Sequence, residues 1–283
     1  MARPRFSVSE FSTLNRSYDE DLAAFAAGGA EGIGLAEVKL PAGDDAESLR
    51  KLRESGLKAT ICIPATLAIL PVGLSPEPAE PEARVEALAA SIRRLAPFEP
   101  EAVLVLTGVP GERDEAEARR IVVESLRELG RAGREAGVPV ALEPIHRSAA
   151  DEFTLVSDLP ATEALLAEAG DDAIGILFDT WHLWDTPDVL EHTRRLAARF
   201  PAVHVNDWRA ETRGWDDRAL PGEGVIDLPA LLGALEAGGF DGWYDLEILS
   251  GEAYPDSLLR LAPEELVRRG REGFLRAWEA RAR

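Results

Sequence analysis

Val138-Pro139-Val140-Ala141-Leu142-Glu143, Ile174-Gly175-Ile176-Leu177-Phe178-Asp179, Ala202-Val203-His204-Val205-Asn206 and Trp243-Tyr244-Asp245-Leu246-Glu247 are four short apolar runs. Each carries an ionisable group at or near its end. Near-continuous apolar runs of this length read as parallel strands buried on both faces. Outward from them the same signal recurs, and eight strand segments can be marked, at residues 5–10, 32–40, 57–64, 101–107, 138–143, 173–179, 202–207 and 242–249. Between them apolar residues recur at three and four, most clearly over 83–96, 115–136, 186–199 and 228–238, which is the helical period. Gly56, Gly137 and Gly239 stand where helix C-caps belong. Asp227, followed by Leu228-Pro229, is an N-cap with proline in the first turn. Eight alternations of strand and helix predict a closed (β/α)8 barrel, the TIM barrel, over residues 1–283 as a single domain. A doubly wound sheet is the alternative, but no Gly-rich first turn supports it. The Pro/Glu-rich residues 71–82 read as an exposed loop after the third strand, a lid or an oligomer contact, and the charged stretch from Pro263 to Arg283 as a last helix on the barrel exterior.

Composition narrows the function. A formal net charge of −20 argues against nucleic acid as a partner, because phosphate binding needs a basic surface. The hydrophobic fraction of 46% supplies a large core, yet no run approaches the roughly 18 apolar residues of a membrane span. The N-terminus, Met1-Ala2-Arg3-Pro4-Arg5, lacks a signal-peptide core, and the single cysteine, Cys62, lies in an apolar run and forms no internal disulfide. A cytoplasmic protein is the expectation.

The ionisable strand ends carry the chemistry. An ionisable group at the finish of a buried strand is costly without a partner. One could be an ordinary ion pair; Glu143, Asp179, His204 and Glu247, from four successive strands, fit a shared divalent cation. Three carboxylates and one imidazole suit Mn, Mg, Co or Zn without choosing among them. The competing reading is a set of structural carboxylate–arginine pairs. In a barrel of this kind the active site lies at the C-terminal ends of the strands, where these residues fall.

Three of the four histidines, His146, His182 and His204, lie in or just after these strands, whereas His192 sits on the polar face of a helix. His182, three residues after Asp179, is placed to face the cavity as a substrate contact, with His146 a further one. Trp181 and Trp184 flank His182; an indole there could stack on a sugar ring, and packing is the alternative, favoured for Trp184. Arg218, in Asp217-Arg218-Ala219-Leu220-Pro221-Gly222-Glu223-Gly224-Val225-Ile226-Asp227, is a candidate for polarising a substrate oxygen. Glu37 and Lys39 share one face of strand two, which could be the cavity face; an ion pair of Glu37 with Lys39 or a nearby arginine is the structural reading, and it is favoured.

The segments Leu142-Glu143-Pro144, Phe178-Asp179-Thr180-Trp181-His182, Val203-His204-Val205-Asn206-Asp207, Asp217 to Asp227 and Asp245-Leu246-Glu247 together resemble the xylose isomerase-like TIM-barrel superfamily of sugar isomerases and epimerases. The match is closest to its inosose (2-keto-myo-inositol) isomerase-like branch. It is motif-level over 138–250 and only a strand–helix pattern before that. The resemblance implies one divalent metal ion held by Glu143, Asp179, His204 and Glu247, with His182 and Arg218 at the substrate. The implied activity is metal-dependent isomerisation or epimerisation of a sugar or keto-polyol, by proton transfer through a metal-stabilised enediolate with Glu143 and Glu247 as the catalytic carboxylates. A hydride shift is disfavoured because no lysine follows Asp179. A lyase acting on a related keto-sugar, inosose dehydratase-like or 3-keto-glycoside eliminating, would begin with the same proton removal. A non-catalytic sugar-binding barrel is the reading outside catalysis. The expected partner is a small unphosphorylated sugar or polyol, because no Gly-rich phosphate cradle precedes the last helix. A homo-oligomer is compatible with the sequence, and nucleic acid and membrane are not expected partners.

Overall fold

A computed structural model describes residues 3–171 and 173–281. Nine parallel strand segments form one sheet: β1 (Arg5–Ser9), β2 (Gly32–Ala36), β3 (Lys58–Ile63), β4 (Ala102–Val105), β5 (Val140–Leu142), β6 (Ile174–Ile176), β7 (Phe178–Asp179), β8 (Ala202–Val205) and, after a short antiparallel pair of β9 (Asp207–Trp208) with β10 (Arg218–Ala219), β11 (Trp243–Leu246). The lateral order is β6-β5-β4-β3-β2-β1-β11-β8-β7. The two ends of that ladder, β6 and β7, are consecutive in the chain and parted only by Leu177, so the sheet curls into a nearly closed barrel. The expected strand 173–179 is therefore two segments, and at the break the Leu177 N–H still donates to the Leu142 carbonyl at 2.9 Å.

Alternation along the strands divides the apolar residues between two cores. Val103, Val105, Val140 and Leu142 point outward and pack under the surrounding helices. Ala102, Leu104, Ala141 and Leu177 point inward and, with Ile61 and Ile63, fill the barrel. The helix Glu115–Ala136 has the predicted limits, with Asp114 accepting from the Glu117 N–H at its start and Gly137, φ +73°, at its end. The other predicted helices shift by a few residues, to Pro81–Leu95, Val189–Leu196 and Leu228–Ala237. The last helix runs Pro263–Ala280 and seals β1 and β11, with Phe274 against Phe6 and Tyr244; Ala282 and Arg283 of the predicted span lie outside the described residues. Among the described residues no helix is long and apolar enough to cross a membrane.

One expectation changes. Strand two ends at Ala36, and Glu37–Lys39 turns away as a single 3-10 turn. Glu37 and Lys39 thus share no strand face toward the cavity; the favoured pairing of Glu37 with an arginine holds, with Arg94 and the Ala65 N–H as its partners, while Lys39 pairs with Asp21 and donates to the Thr13 carbonyl. The segment after β3 is mostly exposed but not loose. Arg84, fully buried at the start of the next helix, donates to the Ala68 and Pro78 carbonyls and to Ser75, tying the segment down.

Candidate metal centre and active site

Strand register brings the four groups together. Asp179 on β7 and Asp245 on β11 both sit level with His204 on β8, while Glu143 and Glu247 come one residue after β5 and β11. One ligand atom from each of Glu143, Asp179, His204 and Glu247 lies within 4.8 Å of all the others, and all four residues are buried. His204 Nδ1 faces Glu143 Oε1 at 3.2 Å, Glu247 Oε2 at 3.4 Å and Asp179 Oδ2 at 3.8 Å. The donors expected from sequence therefore converge on one point.

Asp179 is oriented by its neighbours. Its Oδ1 accepts from the Trp181 N–H at 2.7 Å and from Asn206 Nδ2 at 3.0 Å, which leaves Oδ2 turned to the centre. Asn206 is itself fixed by Thr180 Oγ1 at 2.8 Å and donates to the Glu247 carbonyl at 3.2 Å. Arg218 arrives from β10, and one guanidinium nitrogen bridges Asp179 Oδ2 and Glu247 Oε2, each at 2.8 Å.

Three carboxylates beside two cationic groups, all out of water, shift one another. Burial raises Asp179, but Arg218, His182 and His204 outweigh it and hold the carboxyl at about 2. Burial pushes Glu143 up to about 7 against the pull of His204. Burial disfavours a charged His204, yet Glu247, Glu143 and Asp245 lift it to about 10. Burial drives His182 down to about 3, with Asp179 opposing and Arg218 assisting, so its ring is neutral. Its Nδ1 accepts the His146 N–H at 3.1 Å, which places the remaining ring proton on Nε2. Nε2 lies 3.2 Å from an Arg218 nitrogen, and both are then donors. Two such donors side by side can share one acceptor set in front of both.

The centre opens on a cavity of about 60 Å³ that gives onto solvent past Leu74. The charged and imidazole side chains on its lining are Glu143, His182, Arg218 and Glu247, and Trp215 adds an indole N–H. Of the residues expected at substrate, His182 and Arg218 line the cavity, while His146 and Trp181 stand one layer back. The His146 ring nitrogens face Ser148 and Asp185, and its contribution is the backbone N–H to His182. Trp181 is fully buried, stacked on Trp208 at 4.3 Å with Arg218 over its ring; Trp184 packs on Trp208. His192 contacts Arg195.

Sequence reading passes over two residues here. Asn206 and Asp245 each lie two positions from a predicted ligand on the same strand, so the period of two already puts them on the inward face. Asp245 is fully buried, neither of its oxygens has a hydrogen-bond partner, and Oδ2 is 3.8 Å from the unpartnered His204 Nε2. The excursion that carries Arg218 is also anchored, since Asp207 accepts from the N–H groups of Trp208, Gly222 and Ile226. Gly224 must be glycine there, because a Cβ would meet the Trp208 carbonyl oxygen at 2.3 Å.

The fold has relatives among known proteins. Residues 22–278 match the family model described as xylose isomerase-like TIM barrel. An inosose isomerase of Bacillus velezensis is 27% identical over 160 residues, 55% of this chain and 54% of that protein, so the match spans about half the length of that relative. A 2-oxo-tetronate isomerase of Cupriavidus necator is 25% identical over 251 residues, 86% of this chain and 92% of that protein. The crystal structure of IolI protein with a bound zinc atom superposes with a TM-score of 0.78 at 18% identity, covering 96% of this chain and 97% of the other.

Proposed function

The chain belongs to the xylose isomerase-like TIM barrel family, and from that premise we propose that it is a metal-dependent isomerase or epimerase acting on a hydroxy-ketone of the sugar or polyol class. The observation that carries this reading is the buried quartet of Glu143, Asp179, His204 and Glu247 at the floor of the cavity. Three carboxylates and an imidazole are a donor set that fits a divalent cation, and a relative of the same fold holds zinc. A cation bound there would act as a Lewis acid on the substrate carbonyl.

The remaining steps fall to the protein's own groups. The His182 Nε2–H and the Arg218 guanidinium donate to a substrate oxygen and hold it over the carboxylates. Glu143, which lines the cavity, takes the proton from the carbon beside the carbonyl, and Glu247, which lines it too, returns one. Asp179, held ionised at about 2, orients Arg218 and stays out of proton transfer. Glu143→Gln or Glu247→Gln is expected to keep the fold by circular dichroism and to abolish exchange of solvent deuterium into substrate, followed by NMR over a panel of ketoses and keto-polyols. Unchanged exchange in both variants would overturn the assignment of the base.

A further inference from the structure

Above the quartet the cavity is walled by Leu67, Ile145, Phe153, Trp215 and Leu249, with Leu74, 55% exposed, at its mouth. The polar groups on the cavity are already committed at the floor. Glu143 and Glu247 belong to the centre, one Arg218 nitrogen bridges Asp179 and Glu247, and the His182–Arg218 donor pair has room for one acceptor. A carbonyl and its neighbouring hydroxyl are therefore served, and beyond them the lining side chains are apolar except for the indole N–H of Trp215. A ring with an oxygen on every carbon would press its far hydroxyls against leucine and phenylalanine, and each buried hydroxyl left without a partner costs about 1–3 kcal/mol.

We infer that the preferred substrate is amphipathic: a hydroxy-ketone at the reacting end and an apolar arm, an aryl or alkyl group, along the wall of Leu67, Ile145, Phe153, Trp215 and Leu249. This rests on the metal-dependent reading above and narrows it, away from a bare inositol ketone. Phe153 and Trp215, edge to face at 5.2 Å, supply the aromatic surface that such an arm stacks on.

The test uses hydroxamates, which chelate a divalent ion through two adjacent oxygens and differ only in the arm. Acetohydroxamate and benzohydroxamate are titrated by calorimetry into the zinc-loaded protein, whose metal content is measured directly, and into Leu74→Ser and Trp215→Ser. Benzohydroxamate is expected to bind about ten- to a hundredfold more tightly, the ratio expected from burying one aromatic ring. That ratio is expected to fall several-fold in Trp215→Ser and less in Leu74→Ser, which lies at the exposed rim and is the safer variant for folding. Equal affinities in the wild type, or a ratio unchanged in both variants, would overturn the apolar-arm assignment. Failure of the protein to hold zinc in the metal assay would instead overturn the reading beneath it, and the assignment with it.

Discussion

Two clusters of buried acids lie at the strand ends, and only one is built as a site. Around His204, three carboxylates aim single oxygens at a common point beside a cavity, with Arg218 bridging two of them. Around Lys39, Asp21 and Glu10 are equally buried but closed off: Lys39 pairs Asp21 and donates to the Thr13 carbonyl, and Glu10 accepts from the Ala36 N–H. The second cluster holds the turns after β1 and β2 against the first helix. Burial of acids is common to both. What separates them is an open side and the convergence of one ligand atom from each of four residues on a common point.

That contrast can be broken most forcefully through the metal. His204→Ala and Glu143→Ala are expected to lose the divalent ion that purified protein carries or takes up, while Asp21→Asn leaves it in place, as measured by elemental analysis. Retention by both site variants would reduce the two clusters to the same kind of structure. Removing the cation of each cluster gives the next largest effect. Arg218→Met and Lys39→Met each strand buried carboxylates, at about 3–5 kcal/mol of folding stability. Added Zn²⁺ is expected to restore much of the melting temperature in Arg218→Met and none in Lys39→Met. A third way to test it is a slope against pH. Burial, opposed by Lys39, holds the Glu10 carboxyl near 8 in the fold against an ordinary 4.5. The folded chain thus keeps this proton after the unfolded chain has lost it, and the stabilisation present below about 4.5 is lost as the pH rises toward 8. Glu10→Gln, which retains the acceptor for Ala36, is expected to flatten that part of a urea-denaturation profile.

The barrel and the convergence of four candidate ligands are both legible in the sequence, the details around each less so. Glu143, Asp179, His204 and Glu247 are legible because an ionisable group ending an apolar run is conspicuous and register does the rest: neighbouring parallel strands place their ends side by side. The helix 115–136 is legible to the residue because Asp114 and Gly137 cap it. Strand two reads too long because Glu37 and Lys39 continue an alternation that the chain abandons at Ala36, and only the tertiary partners Arg94 and Asp21 reveal why. Trp181 resembles a sugar platform by composition, yet Trp208, in a later strand segment, claims its face. Asn206 and Asp245 escape notice although the strand period already places them inward.

Asp207 gives the excursion from Arg209 to Pro221 a particular economy of motion. By collecting the N–H groups of Trp208, Gly222 and Ile226, it knots the two ends of that excursion together at the barrel rim. The entropy of closing the loop is settled there, at the rim. Arg218 then reaches the carboxylates as a spring already cocked, with little disorder left to lose, and the guanidinium's attraction for Asp179 and Glu247 goes almost wholly into aim.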